Sequence, residues 1–184
     1  MQILFHPEPM AYDGTAIRSH WARKRFGLAG DAAVAFLGAC GVAPGEVVDM
    51  EEVISGAAIR GERMAHFVVE HFGPGLEGAV LRLYLLAARA FVRLAPHAGP
   101  SLILRGSDLY LGEGKLSVGV ATVTPVSAKV HFGVNVTTAG VPVKAAGLED
   151  LGVDARAFAE GLLGDYAAAM AGVEADRCKV RGAD

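Results

Sequence analysis

Asp108-Leu109-Tyr110-Leu111-Gly112-Glu113-Gly114-Lys115-Leu116-Ser117-Val118-Gly119-Val120-Ala121-Thr122 is the stretch on which the fold turns. Two β-prone runs flank Gly112-Glu113-Gly114, the pattern of a hairpin: strand, tight turn, strand. Side chains alternate along a strand, so Lys115, Ser117, Gly119 and Ala121 are expected on one face and Leu116, Val118 and Val120 on the other. The first face is a lysine followed by small residues; the second reads as core. The side taken by Asp108 depends on the turn. A loop over 111–114 sets Tyr110 opposite Lys115 and puts Asp108 and Lys115 on one face. A three-residue loop separates them, because a one-residue slip inverts the pleat. The plainer role for Asp108 is a turn or strand cap.

Working outward, residues 129–137 read as a further strand, with Val130, Phe132, Val134 and Val136 on one face and His131, Gly133 and Asn135 on the other. If this strand pairs with the hairpin, small and polar residues line a concave surface with Lys115 at its end, leaving room for a ligand. A sheet with one solvated face gives the same pattern, and a strand glycine can simply mark a bulge. Strands are expected over 3–5, 31–37, 65–72 and 101–105, and residues 47–54 are ambiguous. A helix over 16–26 would be N-capped by Thr15 and stopped by Gly27. The strongest helix spans 77–94, followed by a turn flanked by Pro96 and Pro100. Asp154 caps a last helix to about Met170, with Phe158, Leu162, Tyr166 and Met170 along one stripe. The pattern is α+β: a mixed, largely antiparallel sheet flanked by helices.

Composition narrows the function classes. The 184 residues are 52% hydrophobic, which fits one domain over 1–184 and excludes disorder. Mean hydropathy is +0.36, but Arg82, Arg89 and Arg93 interrupt the most apolar stretch, 78–95, so no membrane span is expected. The start of the chain has neither a basic segment nor a long apolar one, which points to the cytoplasm. Cys40 and Cys178 form no CxxC and read as two reduced thiols, with a disulfide between them left open. Seventeen basic against twenty acidic residues give no nucleic-acid coat, although local clusters remain. One such cluster, Arg18, Arg23, Lys24 and Arg25, fans around the 16–26 helix and reads as a solvated face. His66 and His71, five residues apart, point to opposite sides of a strand. No HExxH, Walker A, GxGxxG or GxSxG pattern occurs, and no metal site is expected. Arg60-Gly61-Glu62-Arg63 lies before a predicted strand; two arginines around a glycine can grip a phosphate or carboxylate, though most such clusters are solvated loops.

The order of these features resembles the catalytic domain of biotin and lipoate protein ligases, from about Asp31 to Met170. Arg60-Gly61-Glu62-Arg63 stands in the place of their glycine- and arginine-rich segment. A long helix follows, then Arg105-Gly106-Ser107-Asp108-Leu109-Tyr110 in place of an Asn-Asp signature. Gly114-Lys115-Leu116-Ser117 matches the catalytic lysine, and Gly133-Val134-Asn135-Val136 a later Gly-hydrophobic-Asn-hydrophobic strand. The whole chain resembles a prokaryotic family described as domain of unknown function 366. Ile17-Arg18-Ser19-His20-Trp21, His66-Phe67-Val68-Val69-Glu70-His71-Phe72, Gly114-Lys115-Leu116-Ser117-Val118 and Arg177-Cys178-Lys179-Val180-Arg181 carry that likeness.

The ligase resemblance implies an enzyme that activates a small carboxylate with ATP and magnesium and passes the acyl group to an amine. Lys115 would bind the carboxylate and α-phosphate and Asp108 would hold the adjoining site. Asn135 and Ser117 would shape the ligand floor and Arg60 and Arg63 would cover the intermediate, with Gly61, Gly119, His131 and Gly133 as further candidate ligand-binding residues. The alternatives are a non-catalytic small-ligand or nucleotide-binding protein of the same fold, and a tRNA-related protein. The same broad fold occurs in class II aminoacyl-tRNA synthetases, and the basic helix is the support for that last option. Edge strands of such a sheet offer a route to a homodimer.

Overall fold

The computed structural model describes residues 1–182. Strands β1 (Gln2–His6), β2 (Ala32–Gly41), β3 (Arg60–His71), β7 (Ser117–Val123) and β8 (Ala128–Asn135) form a sheet in the order β1-β2-β3-β8-β7. β1 pairs parallel with β2 and every other pairing is antiparallel. A second sheet is built from β4 (Leu102–Arg105), β5 (Asp108–Leu111) and the two-residue β6 (Gly114–Lys115). The helices are α1 (Trp21–Phe26), α2 (Met50–Ser55), α3 (Leu76–Ala98) and α4 (Ala155–Lys179). The α+β reading holds.

β8 is buried at every position, as a strand covered on both faces must be. On one face Ala35, Phe67, Phe132 and Val134 pack under Leu83, Leu86 and Leu94 of α3 and Phe158, Leu162 and Tyr166 of α4. The stripe expected on the last helix is the one it buries, and Asp154 caps it by accepting a hydrogen bond from Ala157 N (2.7 Å). On the other face Val34, Phe36, Met64 and Val68 pack under Tyr12, Ala16 and Ala22. His71 ties the end of β3 to the residue before β2 and to α4, its Nδ1 2.7 Å from Asp31 and its Nε2 2.9 Å from the Tyr166 hydroxyl.

Four local expectations are corrected. The 16–26 helix is broken into a 3₁₀ turn (Thr15–Ile17) and α1, with His20 between them at φ 60. A buried acceptor overrides local propensity there: His20 N donates to Glu70 Oε1 (2.8 Å). Asp13, not Thr15, satisfies the entering turn, accepting from both Thr15 N and Thr15 Oγ1. Arg60-Gly61-Glu62-Arg63 is not a loop but the first part of β3, where the register slips by a bulge opposite Gly38 and Cys40. α3 runs through Pro96, whose missing N–H costs one bond in the last turn rather than the helix interior. The hairpin does not continue as two long strands. Leu111 pairs with Gly114 and Tyr110 with Lys115, and at Leu116 the chain leaves the small sheet to enter the large one as β7.

Candidate ligand-binding groove

The sheet switch at Leu116 inverts the pleat between Lys115 and β7. Ser117, Gly119 and Ala121 pair with Val134, Phe132 and Val130 on the helix-covered face, while Val118 and Val120 pair with Gly133 and His131 on the open one. A Cβ on Gly119 would lie 2.7 Å from Leu83 of α3. The expected division of this strand into a small ligand face and a valine core face is therefore reversed. For β8 it is as expected, with His131 and Asn135 directed away from the α3 layer.

Two cavities, of about 200 and 300 Å³, adjoin on this open side. They share Glu52, Ile59, Lys115 and Val118. The first is bordered by Tyr12, Asp108, Val120, His131 and the carboxylates of Glu46, Asp49, Glu51 and Glu52. The second is more apolar, bordered by Met64, Val141, Pro142 and Val143, with Cys40, Arg60, Ser117 and Asn135. The ambiguous 47–54 segment folds as α2, capped by Asp49 accepting from Glu51 N, and brings Glu52 to the seam between the cavities.

Lys115 stands at that seam and is fixed through its backbone. Its N–H donates to Lys144 O (2.9 Å), and its carbonyl accepts from Ala146 N (3.0 Å) and Asn135 Nδ2 (3.0 Å). Gly114 permits this approach, since a Cβ there would meet Ala145 at 2.9 Å. The Lys115 ammonium lies 2.8 Å from Asp108 Oδ2, and both side chains are a little over a quarter exposed (28% and 27%). Tyr110 pairs with Lys115, the register that puts Asp108 and Lys115 on one face. Burial alone would lower the Lys115 pKa. The hydrogen bond and charge of Asp108, helped by Tyr110 and Glu52, outweigh burial and raise it, so the ammonium stays charged.

Asn135 and Ser117 support this pair from behind. Asn135 Nδ2 also donates to Ala146 O (3.1 Å), and Ser117 Oγ accepts from Leu109 N (2.8 Å) beside Asp108. Arg60 borders the second cavity, whereas Arg63 turns away to Glu149 (3.0 Å). Gly61 is buried against Met64, and Gly133 lies under the Met64 methyl. Cys40 is free and buried, its thiol pushed up to about 11 by burial, and Cys178 is free and exposed on α4.

Sequence reasoning missed Tyr12 and His66. His66 Nδ1 lies 3.1 Å from His131 Nε2, and the Tyr12 ring stacks on His131 with centroids 3.5 Å apart. Tyr12 lies in none of the quoted segments, and His66 opens one that carries no role for it. The strand register, which sets His66 opposite Gly133, is the signal that joins them to His131. Tyr12 arrives on a segment that runs beside β2, bonding through Met10 N to Leu37 O and Tyr12 N to Ala39 O.

The family model described as Domain of unknown function (DUF366) matches residues 1–181. The chain belongs to this family. The DUF366 fold is shared, at a TM-score of 0.95 and 40% identity, by a protein of unknown function from Pyrococcus horikoshi, over 100% of this chain and 99% of that one. Biotin protein ligase from Aquifex aeolicus in complex with biotin and ATP is similar at a TM-score of 0.59 and 15% identity, over 89% of this chain and 68% of that one. A candidate lipoate protein ligase from T. acidophilum with bound lipoic acid gives 0.55 and 11%, over 90% and 83%. At these identities the likeness to the ligases is one of fold: this DUF366 chain carries the architecture of their catalytic domains. No helix among the described residues is long and apolar enough to cross a membrane.

Proposed function

We propose that the groove binds a small carboxylic acid and that Lys115 anchors its carboxylate. The position of Lys115 carries this reading. Its ammonium is kept charged, is partly exposed and borders both cavities, so an acid lying in the second cavity reaches it. The body of that acid would rest against Met64, Val118, Val141 and Pro142, with Arg60 as a second cation. Biotin and lipoic acid, the ligands of the two ligase-fold proteins, are acids with apolar bodies of this kind, which supports the reading.

The ATP held by the Aquifex ligase raises a separate question of fit. Phosphate groups are held by cations and by converging N–H donors. The first cavity offers instead Glu46, Asp49, Glu51, Glu52 and Asp108 around Lys115. Among the described residues no group of three or more His, Cys, Asp or Glu is placed to hold a metal ion. This donor set does not fit a triphosphate. The best-supported function is therefore an acid-binding protein on a ligase fold. An adenylate-forming ligase or acyltransferase is the second reading, favoured by Lys115 bordering both cavities at once.

One experiment separates them. The protein is titrated with a panel of carboxylic acids while its melting temperature is followed, and the same acids are tested for ATP–pyrophosphate exchange. Acids are expected to raise the melting temperature, to lose that effect in Lys115→Ala, and to support no exchange. Exchange that disappears in Lys115→Ala would establish the ligase reading instead. Acids that never shift the melting temperature would sink the proposal.

A further inference from the structure

The first cavity contains a buried group whose hydrogen-bonding polarity is fixed by its surroundings. His131 lines this cavity and is only 3% exposed. One face of its ring is covered by Tyr12, nearly parallel at 5°. Its Nε2 faces His66 Nδ1 at 3.1 Å, and His66 Nε2 in turn faces the Gly38 carbonyl at 3.3 Å.

The proton positions follow by elimination. A carbonyl oxygen only accepts, so His66 Nε2 carries its hydrogen and donates to Gly38 O. Burial holds His66 neutral, with its pKa down at about 4, so its Nδ1 is bare and accepts. His131 Nε2 must then be the donor. Burial, with His66 beside it, keeps His131 neutral as well, which leaves its Nδ1 with a lone pair. No donor among the described residues bonds to that nitrogen, so it is left for whatever occupies the cavity. The carboxylates around the cavity are acceptors too, and Lys115, already paired with Asp108, is its one cation.

We infer that His66 is a positioning residue that holds His131 as an acceptor, and that the first cavity selects a ligand head bearing N–H donors. Resting on the acid-binding reading, this names the substrate class: a small amino-substituted carboxylic acid, its carboxylate at Lys115 and its amino group toward His131. A buried acceptor left without a donor is costly, so plain acids and diacids of the same length are disfavoured.

Two measurements test this. Histidine nitrogen resonances of the isotope-labelled protein report the tautomer directly and need no variant. His131 should be protonated at Nε2 and bare at Nδ1, and the opposite tautomer overturns the inference. Calorimetry then compares 2-amino acids with apolar straight chains, whose amino group flanks the carboxylate at Lys115 while the chain lies in the second cavity, with the monocarboxylic and dicarboxylic acids of equal length. The amino acids should bind about tenfold tighter or better, the worth of a hydrogen bond to a charged group, and His66→Phe should erase the gap and mix the His131 tautomers. Equal binding of plain acids overturns the polarity while leaving the acid-binding reading standing. Simple alkylamines carry the donor without the acid, so they should move the His131 Nδ1 resonance even if no acid binds. Failure of every amine to move it overturns the inference whatever the acids do.

Discussion

Lys129 and Glu70 show what a single residue does away from the groove. Their side chains meet at 3.1 Å while only 0% and 2% exposed, and Glu70 also accepts from Ser127 Oγ (2.7 Å) and His20 N. Burial pushes the Glu70 pKa up. The hydrogen bonds from Ser127 and His20 and the Lys129 charge outweigh burial and hold it below its ordinary 4.5. The stability linked to it is thus complete above the unfolded value and lost as pH falls through the lower folded one. Lys129→Met strands the carboxylate in the core. Urea unfolding at neutral pH should show a loss of about 3–5 kcal/mol, and the deficit should shrink as pH falls and the stranded carboxylate takes up a proton. A loss under about 1 kcal/mol would mean the pair does not hold the sheet as described. Asn135 gives the complementary lesson. Its type and strand position were legible in the sequence, but its two bonds go to the Lys115 and Ala146 carbonyls, which only the fold brings together.

At the scale of elements, periodicity located α3, α4, β3 and β8 because each buries a long patterned face. It failed where a few residues answer to distant partners. The break at His20 obeys Glu70, fifty residues away, and the reversal of β7 follows from a change of sheet that alternation cannot reveal. Two glycines separate tight packing from tolerance. A Cβ on Gly38 would lie 2.0 Å from the Met10 carbonyl, on the backbone of the segment that carries Tyr12. A Cβ on Gly161 of α4 would lie 2.3 Å from Arg93 Nη1, the far end of a flexible side chain. Gly38→Ala should cost about 1–3 kcal/mol as the segment is pushed off β2. Gly161→Ala should fall within about 1 kcal/mol of the parent, because the gain in helix propensity offsets the part-exposed Arg93–Asp165 pair. Thermal or urea unfolding ranks the two, and a Gly161→Ala loss equal to that of Gly38→Ala would contradict this account.

At the scale of the molecule, both apolar layers grip the same two strands, β2 and β3. Trp21, the sole tryptophan, packs against the layer under Tyr12, whereas α3 and α4 cover the opposite face. Trp21 fluorescence and far-ultraviolet circular dichroism should therefore trace one coincident unfolding transition. Separated midpoints would show that the layers melt apart. The fold class was readable from sequence at this scale, because it rests on the count and kind of patterned segments. The groove was readable in Lys115, Asp108, Arg60, Ser117, Gly119 and the polar side of β8, whereas its other walls come from α2 and from the segment around Val141.

Lys115 is gripped by Lys144, Ala146 and Asn135, all of them outside the turn that precedes it. The Gly112–Glu113 connection therefore does not by itself set where the Lys115 backbone sits. This turn is exposed. A fluorescent label on the exposed Glu113 side chain would therefore sit at the rim of the groove without moving the Lys115 backbone, whereas a change in turn length would shift the register that keeps Asp108 on its face.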